Sequence, residues 1–487
     1  MTLNAVRSAP SIGPDHRRRR GMTPLMSACV VLVVAMVASI NLALPKLAAS
    51  DLTPSSTQLL WIVDAYVLVF GCLLIPAGAL GDRFGRKGVL LSGLAVFAAG
   101  CLLSVVAPTV PVLVAGRLIT GVGAALIMPA TLSLLLQVTE PERKPQAIAT
   151  WTAATGIAGA VGNVGGGAVL QWLAWQWLFG AGAAIAVVLA VLVARVAPRG
   201  ERHDAALDLI GAALLTLALF ALLFGIIEGS SYGWSSARVL GGFAVAVLLL
   251  AAFVGYALRA AHPLLDPRIF ALSRLRGGVL GVGLAFFGLF ALFFVNAQYL
   301  QYAKGYSPLL TGVAIAPLVV GMVVVSKRSI GLAGHFGTRT VVAVGMAVLA
   351  VGLGLLSLVD ASTPYYLYAA ILVVMSAGMG LCLPCLSVGV MSALPHAQSG
   401  LGSGLNSASR EIGSALGVAV FGTILTSRFA DALPGHVQSV GQALAMTRDR
   451  AAVLDAFTDA MSMGYRVVAA VVLLGAVIVV TGFRSDN

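Results

Sequence analysis

Fourteen apolar runs, each long enough to cross a lipid bilayer, follow one another through this chain of 487 residues. They begin near residues 24, 58, 88, 111, 145, 176, 207, 237, 276, 307, 340, 364, 402 and 463. A membrane-crossing helix needs about 20 predominantly apolar residues, so fourteen of them need about 280 positions. A hydrophobic content of 59% supplies that number. Charged residues make up only 10% of the chain, against about 25% in a soluble domain, and the mean hydropathy is +0.99. A soluble fold has no room for so much more apolar material, because apolar atoms already make up over half of an ordinary folded surface. The solvent is lipid, and the expected fold is an all-α, fourteen-helix membrane protein.

The formal charge of +12 would suggest nucleic acid in a soluble chain. Here the basic residues sit in short connections between apolar runs, where they set topology, and no nucleic-acid partner is expected. An even number of spans puts both termini on one side. With the N-terminus inside, 21 basic residues fall on inner segments and 7 on outer ones, while Arg117 and Arg410 lie within spans. Both termini are therefore expected in the cytoplasm. Arg17 to Arg20 precede the apolar run Pro24 to Leu44, which is longer than the 7–15 residues of a signal-peptide core and reads as an uncleaved first span. The 25 arginines against 5 lysines fit a GC-rich bacterial genome, hence a bacterial inner membrane. Residues 428–462 are polar enough to read as a long outer loop, and 259–276 as a short basic inner one. The cysteines at 29, 72, 101, 382 and 385 all lie in apolar runs, which argues against a disulfide framework. The pair Cys382 and Cys385 reads as helix packing rather than a redox motif.

An internal repeat is visible. Asp82-Arg83-Phe84-Gly85-Arg86-Lys87 follows the second span, and Gly334-His335-Phe336-Gly337-Thr338-Arg339 follows the tenth, its glycine 252 residues further on. Six helices with loops of about 33 residues each account for roughly 200 of these. The surplus matches an extra helix pair at 207–259, giving six, two and six helices. The expected organisation is a basic tail at 1–23, an N-terminal six-helix bundle at 24–200, an inserted two-helix linker at 201–260 and a C-terminal six-helix bundle at 261–487. Duplicated helical halves around a midplane cavity are the plan of a secondary transporter.

Polar residues inside apolar runs are candidate functional sites, because burying them in lipid costs several kcal/mol unless they are paired or hydrated. Arg117 is the clearest, its alternative being structural pairing with a polar neighbour. Asp64 lies about one turn into the second run. In a partly dry cavity such a carboxylate can load and release a proton near neutral pH, and a cation can compete with that proton. Its alternative is a lip residue in outer water. Arg410 and Glu411, adjacent in the thirteenth run, either form a partly neutral gate element or pair separately with other helices. Glu228 reads as structural or interfacial. Gln298, Gln301 and Tyr302 share one helical face and are cavity candidates. The fifth run carries Gly156, Gly159, Gly162, Asn163 and Gly165 to Gly167, small residues at spacings that let helices approach closely. Gly78, Gly81 and Gly85 permit a tight turn beside Asp82, Arg83, Arg86 and Lys87, and Asp82 would sit near helix ends. A charged loop that merely sets topology is the alternative there. There is no Gly-rich nucleotide loop with Lys, no His/Cys/carboxylate spacing for a metal, and no nucleophile elbow. Neither a cofactor nor enzyme chemistry is expected; a proton gradient is the energy source.

On these motifs the sequence resembles the fourteen-helix drug:proton antiporters of the major facilitator superfamily, over nearly its whole length. Gly78-x-Leu80-Gly81-Asp82-Arg83-Phe84-Gly85-Arg86-Lys87 is similar to the superfamily signature between helices two and three. The resemblance implies that Asp82 and Arg86 latch the inner gate against a neighbouring helix end. Leu113-x-x-x-Arg117-x-x-x-Gly121-x-Gly123 resembles the fourth-helix motif, whose arginine is implicated in proton transfer. Asn41 to Pro45 and Trp61-x-x-Asp64-Ala65-Tyr66 resemble the ends of helices one and two, which adds Asn41 and Tyr66 to the cavity candidates. Trp175 to Phe179 resembles the start of helix six, with Gln176 where relatives often carry Arg. The fifth-run glycines resemble the antiporter motif, with Asn163 in place of its proline and so without its source of a kink. Met36 stands where many relatives have a first-helix Asp, which moves weight onto Asp64.

The expected function is proton-coupled efflux of amphipathic drugs or antibiotics by alternating access. Asp64 and Arg117 are its coupling residues, Asp82 and Arg86 its inner gate, and Arg410 and Glu411 are among its cavity residues. The expected substrate is a small lipophilic molecule, a cation among the options, and the expected unit is a monomer in the bilayer. The alternatives are an exporter dedicated to one compound, as in self-resistance or metabolite export, and a membrane sensor or scaffold that moves nothing.

Overall fold

The computed structural model describes residues 14–48, 50–54, 56–198, 208–395, 398–432, 440, 443–444 and 449–482. Most of the basic tail and the stretch 199–207 lie outside the described residues. Those described form fourteen helices long and apolar enough to span a membrane, and no strand appears among them. The first eight are α1 (Pro14–Ala48), α2 (Ser56–Phe84), α3 (Arg86–Val105), α4 (Val110–Val138), α5 (Lys144–Trp172), α6 (Gln176–Val196), α7 (Leu209–Tyr232) and α8 (Ala237–Ala257). The remaining six are α9 (Ser273–Gln298), α10 (Ala316–Phe336), α11 (Thr338–Leu356), α12 (Tyr365–Ser392), α13 (Ser399–Ala432) and α14 (Arg450–Gly482). Lipid offers no partner for backbone N–H and C=O groups, so each span closes its own hydrogen bonds as a helix. Proline is tolerated within α2, α4 and α12, at Pro76, Pro129 and Pro384.

Capping and turn chemistry set several boundaries. Asp208 caps α7 by accepting from Gly211 N at 2.8 Å. It also accepts from Tyr256 Oη at 2.8 Å and Leu264 N at 2.9 Å, which ties together the connections at that end of α7 and α8. The two repeated turns have the same backbone solution. Gly85 joins α2 to α3 at φ 94° and Gly337 joins α10 to α11 at φ 81°, a region that costs glycine nothing and other residues strain.

Three boundaries differ from the sequence expectation. The outer loop expected at 428–462 is much shorter, because 428–432 continue α13 and α14 begins at Arg450 rather than near 463. Val453, Ala456, Phe457, Ala460 and Met461 are buried while Asp455 and Asp459 are exposed. That first stretch is amphipathic, so its average hydropathy hides a helical pattern. The tenth run is broken into a short helix, Pro308–Val313, capped by Ser307, followed by α10 after a break before Pro317. Finally, α9 ends in a π turn at Tyr299–Ala303, a widening that turns Tyr299 and Leu300 inward.

Buried apolar side chains gather in two clusters. One draws on α1 to α8, the other on α9 to α14. Val390 and Leu394 after the middle of α12, and Leu401, Leu405 and Ala408 in the first half of α13, belong to the first cluster. The helices α12 and α13 therefore dock across from their own cluster at the end where Asp82 lies. The pair α7 and α8 pack on each other, with Phe243 against Gly225. Leu223 of α7 abuts Gly71 of α2, and Trp234 Nε1, beyond α7, donates to Thr423 Oγ1 of α13 at 2.8 Å. Leu240, Val247 and Leu248 on the outer face of α8 are exposed, as suits a helix facing lipid.

Candidate transport site

At the end of α2 the Asp82 carboxylate is buried and multiply bonded. It accepts from Gly400 N at 2.9 and 3.0 Å and from Leu401 N at 3.2 Å, the free N–H groups that open α13. Arg86 closes the arrangement, its Nη2 and Nε lying 3.2 and 3.3 Å from Asp82 Oδ1 while Nη1 donates to Ser133 O of α4 at 3.3 Å. A carboxylate at a helix N-terminus meets both the unpaired donors and the positive end of the helix dipole. Gly78 and Gly400 are what allow the approach. A Cβ on Gly78 would run into the carbonyl of Gly400, and one on Gly400 into the carbonyl of Gly78. Lys87 donates to Ala194 O at 2.8 Å and Ala197 O at 2.6 Å, tying α3 to the end of α6. Arg83 is half-buried, its guanidinium 5.4 Å from the ring centre of the exposed Phe84. A Cβ on Gly81 would meet only the Arg86 side chain, at 4.0 Å. In the second repeat Gly334 aligns with Asp82, so the equivalent turn has no carboxylate to offer a helix.

Arg117 is fully buried in α4. Its Nε donates to the backbone carbonyl of Ile62 at 2.9 Å, and its guanidinium lies 4.5 Å from the Tyr66 ring centre and 6.0 Å from that of Phe179. Nη1 and Nη2 have no hydrogen-bond partner among the described residues. Tyr66 in turn donates to Val33 O of α1 at 3.0 Å. Asp64 is half-buried in α2, within electrostatic reach of Arg117 and of Glu228 on α7. The docking of Leu223 on Gly71 sets Glu228 at nearly the depth of Asp64, since both lie a few residues further towards the same end.

Arg410 and Glu411 point to different neighbours. Arg410 is 3% exposed and sits between Phe286 of α9, 4.5 Å from the ring centre, and Trp151 of α5, at 5.5 Å. The Cβ of Glu411 faces Gly71 of α2, on the side of Tyr66. Arg410 lies eleven residues into α13, about 16 Å along the helix, close to the middle of a bilayer core about 30 Å thick.

The remaining candidates are spread out. Gly162 and Gly166 press α5 onto α1, where a Cβ would strike Ala35 and Ser39. Gly167 has room. Asn163 is half-buried opposite Gly312, and α5 runs unbroken past it. Asn41 is exposed and donates to Val37 O of its own helix. Gln298 likewise donates to Phe294 O. Gln301 and Tyr302 fall in the π turn, half-buried, so the α-helical face drawn through 298, 301 and 302 is not kept. These three and Asn41 lie at the end of the bundle opposite Asp82, well away in depth from Arg410. All five cysteines are buried and unpaired. Among the described residues no group of His, Cys, Asp and Glu could hold a metal ion.

Two sets of residues were not singled out by sequence. Trp151 and Phe286 flank Arg410. Ser399, Ser403, Asn406 and Ser407 are buried along α13, with side-chain atoms that find no partner among the described residues. The last set had a signal, polar residues at helical spacing ahead of Arg410, hidden among glycines and alanines.

Residues 26–418 match the family described as Major Facilitator Superfamily. The chain is 34% identical over 440 residues to the puromycin resistance protein pur8 of Streptomyces alboniger, covering 88% of this chain and 86% of that one. It is 31% identical to the multidrug efflux pump LfrA of Mycolicibacterium smegmatis, covering 98% of both. Its fold is similar to the crystal structure of the human organic anion transporter MFSD10, with a TM-score of 0.64 at 16% identity over 96% of this chain and 100% of that one. This chain belongs to the Major Facilitator Superfamily, as a fourteen-helix member related to its drug and antibiotic resistance proteins.

Proposed function

We propose that the protein exports amphipathic drugs or antibiotics across a bacterial inner membrane by alternating access, in exchange for protons. The observation that carries this reading is the bond from Asp82 to the first N–H groups of α13. It joins the second helix to the thirteenth, across 318 residues of sequence, and it consists of a few polar contacts that can break and re-form. Such a contact suits a gate. Its strength is that of charge-assisted hydrogen bonds, about 1.5–3 kcal/mol each, small enough for substrate and proton binding to reverse.

The helices fall into a six-helix bundle at 24–200, a two-helix linker at 201–260 and a six-helix bundle at 261–487, with both termini in the cytoplasm as the basic residues favour. The gate at Asp82 is then the inner one. Asp64 takes up a proton, and Arg117 senses its charge through the guanidinium nitrogens left unbonded. Inward proton movement supplies about 2.3 kcal/mol per charge per 100 mV. One chain contains the whole route, so a monomer suffices. It needs no cofactor and makes or breaks no covalent bond in its substrate.

The test is dye accumulation in inverted membrane vesicles acidified inside. Uptake that a protonophore collapses and that Asp64→Asn stops supports the reading; uptake indifferent to the proton gradient refutes it. An exporter dedicated to one compound is the second reading, favoured by the name of the puromycin resistance relative. Resistance confined to a single chemical class would select it.

A further inference from the structure

The face of α13 that runs from the Asp82 end to the middle of the bundle is polar and sealed. Ser399, Ser403, Asn406, Ser407 and Arg410 recur at spacings of three and four, so they form one stripe along the helix. Ser403 and Asn406 are 0% exposed, Ser407 1% and Arg410 3%. The Ser399, Ser403 and Ser407 hydroxyls, both amide atoms of Asn406, and Nε and Nη1 of Arg410 have no hydrogen-bond partner among the described residues. Thr152 Oγ1 of α5, next to Trp151, is in the same condition. Buried polar groups are nearly always satisfied, so a run of exceptions calls for an explanation.

The stripe starts at a cleft of about 380 Å³ between the ends of α4, α5, α12 and α13. Arg86, Gln137, Lys144, Ser392 and Ser399 are the polar residues lining it, with no carboxylate among them. At its far end stands a guanidinium with two aromatic faces beside it and, among the described residues, no carboxylate within ion-pair distance. The neighbouring Glu411 turns towards α2 instead. A buried guanidinium presents a planar fork that fits a carboxylate, and flat aromatic walls beside it fit an aromatic ring.

We infer that Arg410 is the recognition point for an anionic group on the substrate, so that the exported compounds are aromatic molecules bearing a carboxylate, drawn from the basic cleft along the α13 stripe. Asn406 and Thr152 supply further hydrogen bonds, and Trp151 and Phe286 hold the ring. The inference rests on the export reading above and replaces a lipophilic cation as the favoured cargo.

The test uses two dyes with one ring system. Rhodamine 110 has a free carboxylate, and rhodamine 123 is its methyl ester. In inverted vesicles the wild type should accumulate the acid at least about ten-fold faster than the ester, as a charge-assisted hydrogen bond allows. Arg410→Gln should abolish that preference by slowing the acid far more than the ester, and Arg410→Lys should keep part of it. A wild type that favours the ester, or an Arg410→Gln variant that slows both dyes equally, overturns the inference while leaving export intact. If Arg410→Gln does not fold, Asn406→Leu tests the same preference. If neither dye accumulates, export of these dyes fails, and polarisation binding to the purified transporter decides separately. Tighter binding of the acid, lost in Arg410→Gln, upholds the site, and equal binding of acid and ester overturns it.

Discussion

Arg117 donates to the backbone carbonyl of Ile62 at 2.9 Å, although a carboxylate, Asp64, lies only two residues further along the same helix. The bond to a carbonyl fixes one edge of the guanidinium and the Tyr66 ring supports its face. The other two nitrogens are left without partners among the described residues. A guanidinium held in this way keeps its position whether Asp64 is charged or neutral, yet its field acts on that carboxylate throughout. Lysine has neither the fork nor the flat face. Arg117→Lys is therefore expected to lower efflux at least about ten-fold, since a lost charge-assisted bond is worth at least that factor, with the amount of folded protein near normal. Efflux per folded transporter, with yield followed by size-exclusion chromatography, checks this.

Asp82→Asn weakens the grip on α13, because an amide is a poorer acceptor for Gly400 and Leu401 and loses the ion pair with Arg86. A change of about 2 kcal/mol shifts the gate by about thirty-fold towards its open form. The readout is maleimide labelling of Ser403→Cys in a background whose five cysteines have been replaced. Labelling from the Asp82 side should be slow in the parent and markedly faster with Asp82→Asn.

Gly78→Ala should have the same sign for a different reason. Its methyl group occupies the space of the Gly400 carbonyl, and overpacking of this kind costs about 1–3 kcal/mol in the closed gate only. The same cysteine probe should label faster. Adding a methyl at Gly331, which faces open space, should leave labelling unchanged.

The turn between α11 and α12 has its own pH dependence. Asp360 Oδ1 accepts from the backbone and hydroxyl groups of Ser362 and Thr363 at 2.7–2.8 Å, and the Ser362 and Thr363 side chains lead in holding its carboxyl below the usual carboxylate range. A group with a depressed folded value adds stability above its unfolded value, and that stability is lost as pH falls through the folded one. Because the side chain is exposed, the gain is small, about 0.5 kcal/mol after screening. Asp360→Asn should lower thermal stability slightly at neutral pH, and the difference should shrink as pH falls through the depressed folded value and the carboxyl becomes neutral. Melting curves of the two proteins against pH check it.

Much of the fold could be read from the sequence because lipid imposes one rule, an apolar helix per crossing. The start of α14 escaped that rule. Residues 450–462 carry Asp455 and Asp459 on one face and buried apolar residues on the other, so average hydropathy reported the mixture and not the pattern. Asp82 with Arg86 was legible because a single turn holds both, and so was Arg117, a lone charge in an apolar run. The partners of these residues were not. Gly400 is 318 residues from Asp82, and the reach of Glu228 towards Asp64 depends on α7 docking against α2, which no local pattern encodes. The serines of α13 sit among glycines and alanines, which hides their polar spacing. Only their burial among neighbours without matching donors or acceptors marks them as a polar track.

The central claim is that substrate leaves in exchange for protons through Asp64. Its most direct measurement is proton movement itself, in liposomes reconstituted with purified protein and loaded with a pH-sensitive dye. Adding rhodamine 110 to the side of the Asp82 gate should move protons across the membrane in the opposite direction for the wild type. With Asp64→Asn the proton signal should vanish while the dye still binds. Dye transport with no accompanying proton movement in the wild type, or an undiminished proton signal in Asp64→Asn, would contradict the account.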